Sequence, residues 1–163
     1  DAHAFVSGRP LKLGGVSIPH TMGLQAHSDG DVVIHALADA LLGSVACGDL
    51  GTHFPSSQPE TKGLSGAELI GTTLEIVAAR GYRPRQVDVT VIAQHPRIAP
   101  HRMAIRSSLA ELLALPLHRV SMKATTTEGL GYTGGHGGMA AQALVVVEHV
   151  VEHTERSPLS PPP

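Results

Sequence analysis

The stretch from Ala26 to Gly43, AHSDGDVVIHALADALLG, constrains the fold more than any other part of the chain. From Val32 onward it is almost entirely Ala, Leu, Val and Ile, so a helix here is largely buried and another layer must cover it. Ser28 is a good N-cap, Asp31 three residues later completes a start like a capping box, and Gly43 offers a stop. The spacing predicts a helix from about Asp29 to Ala46. His35 and Asp39 inside such a helix need a reason. They lie four apart, as do Asp31 and His35, and so share a face. A histidine whose second ring nitrogen meets a carboxylate one turn away is an arrangement that metal-ligating histidines adopt. The alternative is a core histidine hydrogen-bonded to Asp39.

Two other stretches favour the metal. Asp1-Ala2-His3 on an extended segment puts Asp1 and His3 on the same side, because side chains alternate along a strand. With His35 they make a set of two histidines and one carboxylate, which suits a catalytic zinc with one open position and also iron or manganese. The run Lys123-Ala-Thr-Thr-Thr-Glu-Gly-Leu-Gly-Tyr-Thr-Gly134 reads as a strand that delivers hydroxyls and a carboxylate to a glycine loop. Threonine hydroxyls and loop amides can hold phosphate oxygens, and Glu128 is a hard oxygen ligand for Mg²⁺.

Composition narrows the class. At 163 residues the chain is long enough for a real core, and 42% hydrophobic residues with few aromatics make that core aliphatic. A formal net charge of −2 gives no case for nucleic acid or an acidic membrane surface. The one cysteine, Cys47, excludes an internal disulfide framework and is expected as a buried, inert thiol in a reducing compartment. No apolar run reaches about 18 residues, so no membrane-spanning helix is expected. The start at Asp1 reads as a cut inside an element.

Along the chain, Leu11 to Ile18 with Gly14-Gly15 in its middle reads as a strand or hairpin piece. Gly48 to Lys62 reads as a long and therefore functional loop. Ser65 caps a second helix with Glu68 at its third position, stopped by Gly81. Gln86 to Ala93 alternates as a strand, a helix follows from about His101 to Leu113, and Val120 to Thr127 and Ala140 to His149 are further strands. Residues 1–150 are expected as one domain, followed by a proline-rich tail, 151–163, that is expected to be disordered. This order predicts an α+β fold with a single mixed sheet and its helices on one face.

Taken together, Asp-x-His-Ala-Phe, Ala-His-Ser-Asp-Gly-Asp-Val…His-Ala…Asp-Ala-Leu-Leu-Gly, Gly-Asp-Leu-Gly-x-His-Phe-Pro and Lys-Ala-Thr-Thr-Thr-Glu-x-Leu-Gly resemble the 2-C-methyl-D-erythritol 2,4-cyclodiphosphate synthase family of the non-mevalonate isoprenoid pathway. The resemblance runs from Asp1 to about His149. It implies a homotrimer packed around the faces of its sheets, with an active site at each subunit boundary. It implies a lyase that turns 4-diphosphocytidyl-2-C-methyl-D-erythritol 2-phosphate into the cyclic diphosphate and CMP. In that reading zinc sits at Asp1, His3 and His35, and Mg²⁺ or Mn²⁺ at Glu128, while His27 and Thr126 stabilise the transition state. Ser28 and the backbone of Asp49, Leu50 and Gly51 meet the methylerythritol part, and Phe54 is a further substrate contact. Ala93, Gln94, His95, Pro96, Arg97, Ile98 and Ala99 form the cytidine pocket with Ala124, Thr125 and Thr126. Thr127 and Tyr132 complete the substrate contacts, and Asp31 and Asp39 stand behind the metal ligands.

The sequence departs from the family pattern at Ser56-Ser57-Gln58, at Tyr132 where Phe is usual, and at Gly135 and Gly137, which replace an Arg and a Glu; His136 is a partial substitute. Competing readings are a metal-dependent phosphohydrolase and a catalytically silent, trimeric metal- or nucleotide-binding homologue. The expected location is a bacterial cytoplasm, with a plastid as the alternative that a cut N-terminus leaves open.

Overall fold

The structure, a computed structural model, describes residues 1–55, 57–58, 63–135 and 137–150. Ser56, His136 and the expected tail lie outside the described residues, as does part of the long loop, residues 59–62. The elements are β1 (Ala2–Ser7), β2 (Leu11–Leu13), β3 (Val16–Ile18), β4 (Met22–Leu24), α1 (Val32–Ser44), α2 (Leu50–His53), α3 (Gly66–Ala79), β5 (Tyr82–Ile92), α4 (Arg102–Leu112), β6 (Val120–Thr125), α5 (Gly131–Gly134) and β7 (Gly138–His149).

Five strands form one mixed sheet in the order β4-β1-β7-β5-β6. Only β5 and β6 run parallel, joined by a crossover through α4; β5 with β7, β7 with β1, and β1 with β4 are antiparallel. The α+β expectation holds with one difference. A separate two-stranded ribbon, β2-β3, stands apart from the main sheet.

The period of two along β5 decides which face is covered. Val87, Val89 and Val91 are fully buried, and with Met122, Met139 and Ala141 they meet Ile34, Leu37 and Leu41 of α1, Ile70 and Val77 of α3 and Ile105 and Leu109 of α4. Each of these large side chains is worth about 1.5–3 kcal/mol on burial. The alternate residues Asp88, Thr90, Ser121, Gln142, Leu144 and Val146 occupy the opposite face. There Leu144 and Val146 are 63% and 44% exposed, an apolar surface without cover.

The start of α1 differs from the sequence expectation. Its N-cap is Asp31, not Ser28: Asp31 Oδ1 accepts the amides of Val33 and Ile34 at 3.1 Å. The same carboxylate, fully buried, also accepts Gly14 N at 2.8 Å and Gly15 N at 2.7 Å. Gly14 and Gly15 have φ of +59° and +80°, values that glycine tolerates best, and the turn aims both amides inward. Asp31 thus fastens the β2-β3 ribbon to the helix that carries His35. Gly43 lies inside α1, which ends at Ser44, and Ala46 takes the positive φ. The start of α3 is as expected, a capping box between Ser65 and Glu68, and Asp29 accepts Gly66 N at 3.2 Å.

Candidate metal centre and two hollows

Strand β1 and helix α1 converge at the edge of the sheet, and three ligand atoms meet there. His3 Nε2 lies 2.8 Å from His35 Nδ1 and 2.8 Å from Asp1 Oδ2, and His35 Nδ1 is 3.2 Å from the same oxygen. Among the described residues this is the one group of three or more Asp, Glu, His or Cys side chains that could hold a metal. With both rings neutral and their protons on the other ring nitrogens, two imidazole lone pairs and a carboxylate oxygen face one another. A cation between them would satisfy all three, and tetrahedral zinc takes this ligand set at about 2.0–2.2 Å. The residues therefore fit the metal.

Their orientation comes from the surroundings. Side chains on a helix lean toward its N-terminus, so His35 reaches back to Asp1, away from Asp39 one turn further on. Its Nε2 lies 2.8 Å from Ser28 Oγ. With Nδ1 kept for the metal, Nε2 carries the proton and donates to Ser28, which frees the serine hydroxyl proton for a ligand. A backbone group of Gln25 hydrogen-bonds the His3 ring. Arg9 donates to the carbonyls of Ala26 and Ser28 and holds this loop, a role without any signal in the sequence.

The expected support from Asp31 and Asp39 is corrected here. Neither carboxylate hydrogen-bonds His35; Asp31 is spent on four backbone amides, and Asp39 accepts Leu50 N at 2.7 Å, fixing α2. Both act on His35 only through space, as charges. Burial lowers the His35 pKa, and the charge of His3 adds to this; burial likewise lowers that of His3. Both rings are thereby kept in the neutral form that binds a metal. Burial raises the Asp31 carboxyl, against the pull of the Gly15, Gly14 and Ile34 amides.

The triad opens onto a hollow of about 560 Å³. His27, Ser28, Leu50, Gly51 and Phe54 line it as the sequence led one to expect, and Gln25, Leu64 and Leu69 line it unforeseen. Leu69 is also a buried core residue of α3. Asp49 does not line it: it caps α2 by accepting Thr52 N at 2.9 Å, and the hydroxyl and amide of Thr52 hold its carboxyl below the usual range.

A second hollow of about 360 Å³ lies at the far end of β6. It gathers Ala93, Gln94, His95, Pro96, Arg97, Ile98, Ala99, Ala124, Thr125 and Thr126, the set expected for cytidine. The His95–Pro96 bond is cis. Gln94 Oε1 is buried there without a partner among the described residues, an acceptor open to a ligand donor. Beside it Thr126 Oγ1 donates to Glu128 Oε1 at 2.7 Å, and Glu128 has φ +52°. Thr127 Oγ1 bonds Leu130 O and meets Thr133 Oγ1 at 3.0 Å, bracing the turn rather than facing the hollow. Tyr132 is exposed and lines neither hollow. The hollows share no residue, so one chain does not bring His27 and Thr126 together.

A triad able to hold a metal beside one hollow, and a backbone-rich hollow with Thr and Glu at its rim, define a candidate two-part site. Residues 1–148 match the model of the YgbB family. The chain is 52% identical over 150 residues, covering 92% of itself and 94% of the relative, to the 2-C-methyl-D-erythritol 2,4-cyclodiphosphate synthase of Marinobacter nauticus. It is 51% identical over 148 residues to the bifunctional enzyme IspD/IspF of Sphingopyxis alaskensis, covering 91% of itself but only 38% of that protein's length. A solved cyclodiphosphate synthase in a CDP-bound form superposes with a TM-score of 0.83 at 36% identity, covering 91% of this chain and 96% of that one. The chain belongs to the YgbB family of 2-C-methyl-D-erythritol 2,4-cyclodiphosphate synthases. No helix among the described residues is long and apolar enough to cross a membrane.

Proposed function

We propose that the chain converts 4-diphosphocytidyl-2-C-methyl-D-erythritol 2-phosphate into 2-C-methyl-D-erythritol 2,4-cyclodiphosphate and CMP, as a phosphorus–oxygen lyase. The observation that carries this reading is the convergence of Asp1, His3 and His35 on one point at the mouth of the first hollow. An oxygen of the 2-phosphate attacks the β-phosphorus, the bond from that phosphorus to the bridging oxygen breaks, and CMP leaves with that oxygen. Three anionic groups must be brought together, so positioning and charge neutralisation dominate the barrier.

Asp1, His3 and His35 would hold zinc, and Glu128 a Mg²⁺ or Mn²⁺ ion. Bound cations supply positive charge and Lewis acidity to phosphate oxygens. His27 donates from the wall of the first hollow, and the freed proton of Ser28 meets the methylerythritol end. Leu50 and Gly51, fixed through Asp39, and Phe54 shape that end. Gln94 Oε1 and the backbone of residues 93–99 receive the cytosine, and the Thr126 hydroxyl meets phosphate oxygens as charge shifts in attack. Arg97, which lines the same hollow, would meet a phosphate.

His27 and Thr126 line different hollows, so the complete site needs a second copy of the chain. A homotrimer packed through the sheet face that carries Leu144 and Val146 would cover the exposed apolar surface and join the two hollows across each boundary. The relatives named above are bacterial, and a bacterial cytoplasm is the proposed location.

Incubation with the cytidyl substrate, with and without chelator, followed by ³¹P NMR, tests the reaction. CMP with a cyclic diphosphate, lost on chelation, is expected; free phosphate as product would mean a phosphohydrolase, and no turnover a silent homologue. Mixing His35→Ala with Thr126→Ala chains should restore activity that neither has alone. Full activity in an isolated monomer would exclude the shared site.

A further inference from the structure

Away from both hollows, a third of about 360 Å³ lies between the first turns of α4, the 3₁₀ turn Leu117–Arg119 and the outer edge of β6. Arg102 and Arg106 reach it from α4, Arg119 from the turn, and Lys123 from the strand. These are four of the 12 Lys and Arg residues in a chain whose formal net charge is −2. No Asp or Glu lines the hollow. Among the described residues Arg102, Arg106 and Arg119 form no ion pair, and only Lys123 has one, with Asp88 on the sheet's outer face.

Arg106 is built in rather than solvated. Its Nε donates to Val120 O at 2.6 Å and its Nη2 to Leu117 O at 2.7 Å. These bonds fix the plane of the guanidinium and leave its other N–H donors for a ligand. A planar fork held in place beside two further guanidinium groups matches the oxygens of a phosphate or diphosphate. His118 Nδ1 or Nε2 can add a donor, and the half-exposed Met103 gives the hollow one apolar wall.

We propose that this hollow binds a small polyanion of the diphosphate class, at a site separate from the proposed active site. Its size and the chain's overall negative charge disfavour an extended polyanion such as nucleic acid. The group could be free diphosphate or the end of a diphosphate ester, whose organic part would lie against Met103. Strand β6 and the segment 99–102 connect this hollow to the one around Gln94, so occupancy would brace the same strand.

The test is titration of the full chain, with its metal, by inorganic diphosphate and by methyl diphosphate, read through the side-chain Nε–H NMR signals of arginine. This readout separates the site from phosphate groups bound at the metal. Saturable shifts of Arg102, Arg106 and Arg119 are expected. Charge-assisted bonds are worth about tenfold to a hundredfold each in affinity, so Arg102→Ala/Arg119→Ala should raise the Kd at least about tenfold. Neither residue supports the backbone as Arg106 does, and Arg119→Gln alone is a milder second variant should the double one fold poorly. Tighter binding of the methyl ester identifies an ester as the ligand, and equal binding the free anion. Shifts confined to the hollows around His35 or Gln94, or a Kd unchanged in both variants, would overturn the proposal.

Discussion

Around Asp1, His3 and His35 both imidazoles and the Asp1 backbone are held by other groups, whereas Thr126 and Glu128, at the far end of β6, are held mainly by each other. His35 is 8% exposed and fixed by Ser28, His3 is held by the Gln25 backbone, and the backbone nitrogen of Asp1 donates to Ala141 O at 2.8 Å. Thr126 and Glu128 are exposed, on a turn with Glu128 in the left-handed region. The first region is preorganised within one chain. The second offers its groups outward, at the surface of the chain.

The comparison breaks first at His35. His35→Ala should abolish stoichiometric zinc and lower kcat by more than the roughly 10²–10³-fold typical of losing one transition-state donor. Metal analysis and kinetics on one preparation decide it, and full zinc content in the variant would remove the assignment. Next come Thr126 and Glu128, which should fail differently. Thr126→Ala should lower kcat by roughly tenfold to a thousandfold with little change in KM and no rescue by metal. Glu128→Gln should shift the Mg²⁺ dependence and recover part of its rate at higher Mg²⁺. Identical responses over a Mg²⁺ series would mean the roles are wrongly divided.

Ser28→Ala sharpens the first region by removing only the partner of His35 Nε2. Zinc affinity should fall by about 10- to 100-fold, the range for losing a group that orients a metal ligand, measured by competition with a chromophoric chelator. An unchanged affinity would show that packing alone orients the ring.

The smallest effect is on pH. His3 and His35 have folded-state pKa values below the ordinary 6.5 of a histidine, so in that window the unfolded chain binds more protons. Their contribution is complete above 6.5 and is lost as pH falls through the lowered values. The melting temperature of the chelated protein should therefore drop as pH is lowered from 7.5 to 5.5, and less so in His35→Gln. Asp31, raised above 3.8, acts in the opposite sense, and comparing wild type with the variant cancels it. Parallel curves for the two proteins would contradict the lowered histidine values.

Much of the fold was legible because it rests on local signals. The period of two over Val87, Val89 and Val91, the Ser65–Glu68 capping box and the Gly14-Gly15 turn each act within a few residues. The metal triad was legible as chemistry, since Asp-x-His on a strand and a histidine in a buried helix are both unusual. What stands behind it was not. Asp31 and Asp39 have the helical spacing to reach His35, yet Asp31 turns to the ribbon's amides and Asp39 to α2. Ser28, which looked like the cap, holds the imidazole instead.

The sequence by itself determined the α+β class, the aliphatic core and the capped helix starts, and it offered Asp1, His3 and His35 as one donor set, because period, capping and donor chemistry can be read from the residues themselves. Only the tertiary structure decided which partner each buried polar group takes, which hollow each residue lines, and that four cations from α4, a 3₁₀ turn and β6 share one wall. A buried carboxylate or imidazole must find a hydrogen-bond partner, and several are within reach in sequence. Packing alone, through the lean of helix side chains and the close approach of ribbon, strand and loop, selects among them.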